Sequence, residues 1–203
     1  MRADAIVFGI AGALFGIIVG WVLGSQQATT TARLAPAAQA APAQQASQSA
    51  PQAAVIDPER VKALESLAAQ NPNDVQPRVQ LGNIFFDGEQ YAQSITWYEQ
   101  ALKINPNDAN VSTDLGVAYY YTNQPDKALA QFDQSLKLDP KHTKTILNVG
   151  VVKAFAKQDL QGAQAAWEQA IKIAPDSPEG QAAKKLLDSL RSAHPATGQK
   201  PGA

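Results

Sequence analysis

"ANVSTDLGVAYYYTNQPDKALAQFDQSLKLDPKH" (Ala109 to His142) is followed and preceded by altered copies of itself. The upstream copy is "VQPRVQLGNIFFDGEQYAQSITWYEQALKINPND" (Val75 to Asp108). The downstream copy is "TKTILNVGVVKAFAKQDLQGAQAAWEQAIKIAPDS" (Thr143 to Ser177), with one extra residue between Gly150 and Ala163. Pro72, Pro106, Pro140 and Pro175 keep the beat at intervals of 34, 34 and 35 residues, and Gly82, Gly116 and Gly150 at intervals of 34. A fixed period of this size marks a helical solenoid, in which each unit buries its apolar face only against its neighbours.

Each copy reads as two amphipathic helices. In the first helix Leu81, Gly82 and Phe85 share one face at helical spacing. The glycine lets the second helix come close, and the small residues Ser94, Ala128 and Ala163 are expected to meet it. Tyr98, Phe132 and Trp167 fill the remaining space. Each proline follows the second helix and ends it. The "NPND" stretches at 71–74 and 105–108 put Asn and Asp where the next helix needs an N-cap. Capping helices are expected at 57–70 and 178–191. The first opens on Asp57 and Pro58 with an apolar stripe of Val61, Leu64, Leu67 and Ala68. The second opens on Ser177 and Pro178 and turns Ala183, Leu186, Leu187 and Leu190 to the last repeat. The prediction for residues 57–191 is an all-α array of eight helices without strands, with repeats at 75–108, 109–142 and 143–177.

The pattern resembles the tetratricopeptide repeat family. Leu-Gly at 81–82 and 115–116 carries the resemblance, with Val149-Gly150 in the third copy. So do the aromatics Phe85 and Tyr119, then Tyr98, Phe132 and Trp167, the small residues Ala101, Ser135 and Ala170, and the prolines. Arg78 and Ser112 depart from it where the family has a large apolar residue, and Lys153 where it has an aromatic. The resemblance implies a non-enzymatic scaffold that holds an extended peptide or a helix in a concave groove lined by the first helix of each repeat. The implied groove positions are Gln76, Val79, Gln80, Asn83, Phe86 and Asp87 in the first repeat. They are Asn110, Thr113, Asp114, Val117, Tyr120 and Tyr121 in the second, and Lys144, Leu147, Asn148, Val151, Ala154 and Phe155 in the third. Some family members clamp a C-terminal carboxylate in this groove. Asn83 and Lys144 match that clamp, but Val79 and Asp114 do not, so a chaperone-tail clamp is not expected. Of the three tyrosines in a row, Tyr119 belongs to the packing face, while Tyr120 and Tyr121 belong to the groove face, where Tyr120 either lines the groove or, as the resemblance implies, packs on the neighbouring repeat.

Ahead of the repeats the composition changes twice. Residues 5–24, "AIVFGIAGALFGIIVGWVLG", carry no charge. As a helix they would rise about 30 Å, the hydrocarbon thickness of a bilayer. This run is longer than the apolar core of a secretory signal, and no small-x-small site follows it closely. It is read as a retained transmembrane helix behind a short tail at 1–4. Gly12, Gly16, Gly20 and Gly24 form one stripe along it, a face on which another membrane helix could pack closely. The stripe offers either a second copy of this chain or another membrane protein a contact. Residues 25–56 are Ala/Gln/Pro-rich with Arg33 as their one basic residue, and have too little apolar surface to repay ordering. They read as a disordered tether with a reach of roughly 30 Å on average. Charge placement around the span favours a cytoplasmic N-terminus. The expected location is therefore a bacterial inner membrane, single-pass, with the repeats on the periplasmic side. Residues 192–203 read as a disordered tail.

The rest of the composition narrows the function. Among 203 residues there is no cysteine, only two histidines, and a net charge of −1. That leaves no thiolate chemistry and no basic field for nucleic acid. No nucleophile–base pair, phosphate loop or metal spacing stands out, so no cofactor and no catalysis is expected. His142 is read as a solvated turn residue. The leading expectation is a membrane-anchored adaptor for a protein partner, in envelope assembly or protein biogenesis. The alternative is a self-associating scaffold, joined through the glycine stripe and by repeat stacking.

Overall fold

The computed structural model describes residues 54–193. They form α1 (Pro58–Gln70), α2 (Gln76–Asp87), α3 (Tyr91–Ile104), α4 (Ala109–Tyr121), α5 (Pro125–Leu138), α6 (Thr143–Phe155), α7 (Leu160–Ile173) and α8 (Pro178–Ala193). No strand occurs among the described residues, and none of their helices is long and apolar enough to cross a membrane. The expected span 5–24, its Gly12, Gly16, Gly20 and Gly24, the linker up to residue 53 and the last ten residues lie outside the described part. Each helix packs on the next in sequence. α2/α3, α4/α5 and α6/α7 are the three repeat hairpins. In a second layer of contacts, α4 touches α6 and α6 touches α8, while α2 makes no comparable contact with α4.

The glycines work through the rings opposite them, which differs from the sequence expectation. A Cβ at Gly82 would run into the Tyr98 ring, at Gly116 into Phe132, and at Gly150 into Trp167. A flat ring lies on bare helix backbone in all three hairpins. Ser94, Ala128 and Ala163 are fully buried, but they are not what the glycine side faces first. At Gly116 backbone is close as well: a Cβ there would lie 3.2 Å from the Ala128 carbonyl oxygen. The rings differ in polarity, and each polar tip finds an acceptor. Tyr98 donates to Asn83 Oδ1 at 2.6 Å, and Trp167 Nε1 donates to the Leu147 carbonyl at 3.2 Å.

The turns inside the hairpins follow one design. Glu89, Asn123 and Gln158 each take a left-handed backbone, with φ of 58°, 58° and 56°. In the first two, the next amide reaches back five residues (Gln90 to the Phe85 carbonyl, Gln124 to Tyr119). The left-handed residue itself bonds three back, which makes a Schellman C-cap. The extra residue of the third repeat sits in this turn. There Lys157 bonds to the Val152 carbonyl, and Asp159 reaches six residues back to Lys153. The insertion is absorbed by a wider cap, so α7 still meets α6 in register.

Helix starts agree with the sequence at Asp57, Asp108 and Ser177, each of which accepts from first-turn amides. At α2 the cap shifts: Asp74 accepts from Gln76 N, and Val75 takes the N-cap position without a side-chain bond. Arg78, one of the departures, spreads its guanidinium over the carbonyls of Asp74 (2.8 Å), Ala68 (3.0 Å) and Asn71 (3.4 Å). It thereby satisfies the C-terminal end of α1, where a cation also suits the helix dipole. Ser112 is buried and bonded to the Gln131 carbonyl, and Lys153 pairs with Asp159 at 3.7 Å. One expected stripe residue fails: Leu67 is 46% exposed, because α1 packs chiefly on α2 and Leu67 lies off that contact. At the other end, 35 residues beyond Gly150 because the third repeat is one residue longer, stands the exposed Lys185. A lysine in the glycine position denies a further helix the close approach that builds a repeat.

Candidate functional site

The first helices of the hairpins, α2, α4 and α6, with α8 after them, carry the face that the sequence assigns to a groove. They do not carry it evenly. On α2, Gln76, Gln80, Asn83 and Asp87 are exposed, with Val79 and Phe86 half-buried. On α4 and α6, Asn110 is exposed and Asp114, Lys144 and Asn148 are half-buried. Thr113, Val117, Leu147 and Val151 are buried, as is Ala154, and they do not line an open groove. The reason is the side-by-side contact of α4, α6 and α8, which closes over those positions, whereas the backbones of α2 and α4 come together less closely and meet through side chains such as Phe86 and Tyr121.

Thr113 belongs instead to a buried hydroxyl cluster. Its Oγ1 lies 2.6 Å from Thr145 Oγ1 and 2.9 Å from Ser135 Oγ, and those two are 2.8 Å apart. Thr113 and Ser135 both reach the Ala109 carbonyl. His142 closes the cluster. Its Nδ1 is 2.6 Å from Thr145 Oγ1, and its Nε2 is 3.0 Å from Asn110 Oδ1. With Asn110 Oδ1 as acceptor, Nε2 carries the proton and Nδ1 accepts from Thr145. His142 is thus a bonded, half-buried link among α4, α5 and α6, and not the solvated turn residue expected. Burial pushes its pKa down, against the pull of Asp139. These contacts join residues 29 and 32 apart, so they were invisible to a reading of each repeat alone.

The open part of the face has an acidic centre. Asp114 pairs with Lys144 at 2.6 Å. Burial, and then the Asp114 carboxylate, raise the pKa of Asp87. Both carboxylates also act on the Tyr98 hydroxyl, whose pKa is raised by burial, by Asp114 and more weakly by Asp87. The Tyr98 tip therefore reaches the groove floor, where it fixes Asn83 by taking its oxygen and leaves the amide nitrogen to donate. Asn148 Nδ2 is spent on the Lys144 carbonyl at 2.9 Å, which leaves its oxygen to accept. Amides of both polarities thus stand along the face, as an extended backbone requires.

An aromatic cluster closes one end. Tyr121 stacks on Tyr91 with centroids 4.4 Å apart and planes at 6°. Phe86 meets both edge-on, at 5.3 Å to Tyr91 and 5.9 Å to Tyr121. Burial raises the Tyr121 pKa and brings that of Tyr91 to about 12. Tyr120 is half-buried beside them. Tyr121 therefore serves first as a joint between repeats one and two, with Tyr120 packed beside it. Tyr119 is core as expected, and its hydroxyl donates to Glu99 at 2.5 Å. Tyr91 was not anticipated, since the second repeat has Pro125 in its place. Phe155 is 40% exposed at the equivalent end of α6.

This is a helical-repeat protein whose first helices carry a partly open, polar face. Tetratricopeptide repeats are found in it by family models: one described as TPR repeat matches residues 82–123, and one described as Tetratricopeptide repeat matches residues 109–142. No curated protein matches the sequence. Solved structures share the fold. The Arabidopsis OM64 TPR domain aligns with a TM-score of 0.52 at 20% identity over 66% of this chain and 98% of that one. MamA aligns at 0.55 with 19% identity over 65% and 81%. The first TPR of Spaghetti (RPAP3), bound to the HSP90 peptide SRMEEVD, aligns at 0.51 with 20% identity over 70% and 98%.

Proposed function

We propose that this chain is a non-enzymatic, membrane-tethered adaptor that holds an extended segment of a protein partner along the concave face of α2, α4 and α6. The observation that carries this reading is the row of exposed amides, Gln76, Gln80 and Asn83, on a helix face left uncovered beside Asp114 and Lys144. Amides satisfy an extended backbone without dictating its side chains. The bound peptide in the RPAP3 structure supports the same use of this fold. Residues 5–24 would hold the protein in a bacterial inner membrane, and residues 25–56 would set how far the repeats stand from it on the periplasmic side, in envelope assembly or protein biogenesis. A photo-crosslinking residue tests the reading in cells. At Asn83 it should yield a discrete adduct with a partner, and at Gln134, exposed on α5, it should not. Equal labelling from both positions, or none from Asn83, overturns it. Carbonate extraction tests the anchor, since a soluble chain shortened at its N-terminus is incompatible with it.

A further inference from the structure

We infer that the buried hydroxyls of Thr113, Ser135 and Thr145 form a relay that lets His142 take up a proton while repeats two and three stay docked. The cluster lies in the joint between those repeats. Thr113 belongs to α4, Ser135 to α5 and Thr145 to α6, and all three are fully buried. His142 enters the cluster through Nδ1, 2.6 Å from Thr145 Oγ1 and 3.3 Å from Thr113 Oγ1. Its other ring nitrogen is occupied in either charge state, since Nε2–H donates to Asn110 Oδ1 at 3.0 Å. A proton gained at Nδ1 therefore has to be accommodated among the hydroxyls.

Hydroxyls can do this because each one both donates and accepts, and turns about a single bond. With His142 neutral, Thr113 donates to Thr145, Thr145 donates to Nδ1, and Ser135 donates to the Ala109 carbonyl. With Nδ1 protonated, the direction reverses. Nδ1–H donates to Thr145, Thr145 donates to Thr113, and Thr113 joins Ser135 on the Ala109 carbonyl, at 2.7 Å and 2.9 Å. Every donor has an acceptor in both states, and no heavy atom has to move. Thr145 is the pivot, the nearest partner of Nδ1 and within 2.8 Å of both other hydroxyls. The charged groups around the ring are Asp114 on α4, Asp139 at the end of α5, Lys144 on α6 and Glu179 on α8. Burial opposes the imidazolium most, Lys144 opposes it too, and the three carboxylates favour it. The relay leaves that opposition in place but keeps the charged ring bonded, so acid weakens the fold without parting α4 from α6.

The test is an NMR titration of the full chain in detergent micelles, labelled in its imidazole carbons. The sequence has only two histidines, so His194→Gln assigns the signals. His142 should titrate reversibly in the folded protein. Thr145→Val should lower its midpoint by about one pH unit, because a charge-assisted hydrogen bond is lost from the protonated form and only a neutral one from the other. Thr145→Ser restores the hydroxyl and should restore the midpoint. A second measurement needs no change in the cluster. The chain lacks cysteine, so spin labels at Gln134→Cys on α5 and Gln169→Cys on α7, both exposed, report the spacing of repeats two and three. That spacing should be the same above and below the His142 midpoint. A spacing that widens in step with protonation would overturn the inference, as would a His142 that takes up its proton only on unfolding. A folded Thr145→Val protein with the native midpoint would also overturn it.

Discussion

Tyr121 shows how much a single residue can be misjudged from its helix face alone. Its spacing from Asp114 and Val117 puts it on the groove side, yet its ring stacks on Tyr91 and meets Phe86 edge-on. Aromatic pairs contribute beyond their buried area, so Tyr121→Ala should destabilise the repeats by roughly 2 kcal/mol, about half the cost of truncating a fully buried ring. Thermal unfolding reads this directly, and an unchanged midpoint would show the cluster to be decorative. Thr113, Leu147 and Val151 teach the same lesson. Their burial depends on how closely neighbouring first helices approach, which is a property of the superhelix and not of any one repeat. His142 adds a pH dependence. The folded state lowers its pKa, so it binds the proton less readily than the unfolded chain, whose imidazole titrates near 6.5. The stability it contributes is fully present above that value, declines as pH falls, and is gone below the lowered folded value. Denaturant midpoints followed from neutral to mildly acidic pH should fall in the native protein, and His142→Gln should flatten that part of the fall.

At the scale of the element, most of the architecture was legible. The 34-residue beat, the prolines after each second helix and the caps at Asp57, Asp108 and Ser177 gave the helices and their order. The rings opposite Gly82, Gly116 and Gly150 were in the right places, though their direct seat on the glycine was not foreseen. The turns between paired helices were less readable, because none of the left-handed residues is a glycine. Glu89 and Gln158 adopt a conformation that costs a side-chain-bearing residue about 1 kcal/mol. Glu89→Gly should therefore stabilise the first hairpin by a few tenths to about 1 kcal/mol, visible as a raised unfolding midpoint, despite the entropy that glycine adds to the unfolded chain. A lowered midpoint would mean that the Glu89 side chain contributes more than its backbone costs.

Over the whole molecule, the array is a chain of nearest-neighbour contacts with unequal ends, and such arrays lose their ends first. α1 leans chiefly on α2, whereas α4, α5 and α6 are tied on several sides and by the Thr113–Ser135–Thr145–His142 cluster. Native-state hydrogen exchange should find α1 amides least protected and those of α4 to α6 most protected, and uniform protection would contradict this ordering. The segment before α1 is fastened too: Ala54 N donates to the Asp87 carbonyl at 2.9 Å, and Ile56 packs where a Cβ on Gly88 would lie. That fastening sets the route by which mechanical load enters. A pull on the amino-terminal side acts first on one hydrogen bond and one isoleucine, and then peels α1 from α2 turn by turn. The concave face beyond is loaded only after α1 has yielded, so α1 is the part that gives way when the two ends are drawn apart.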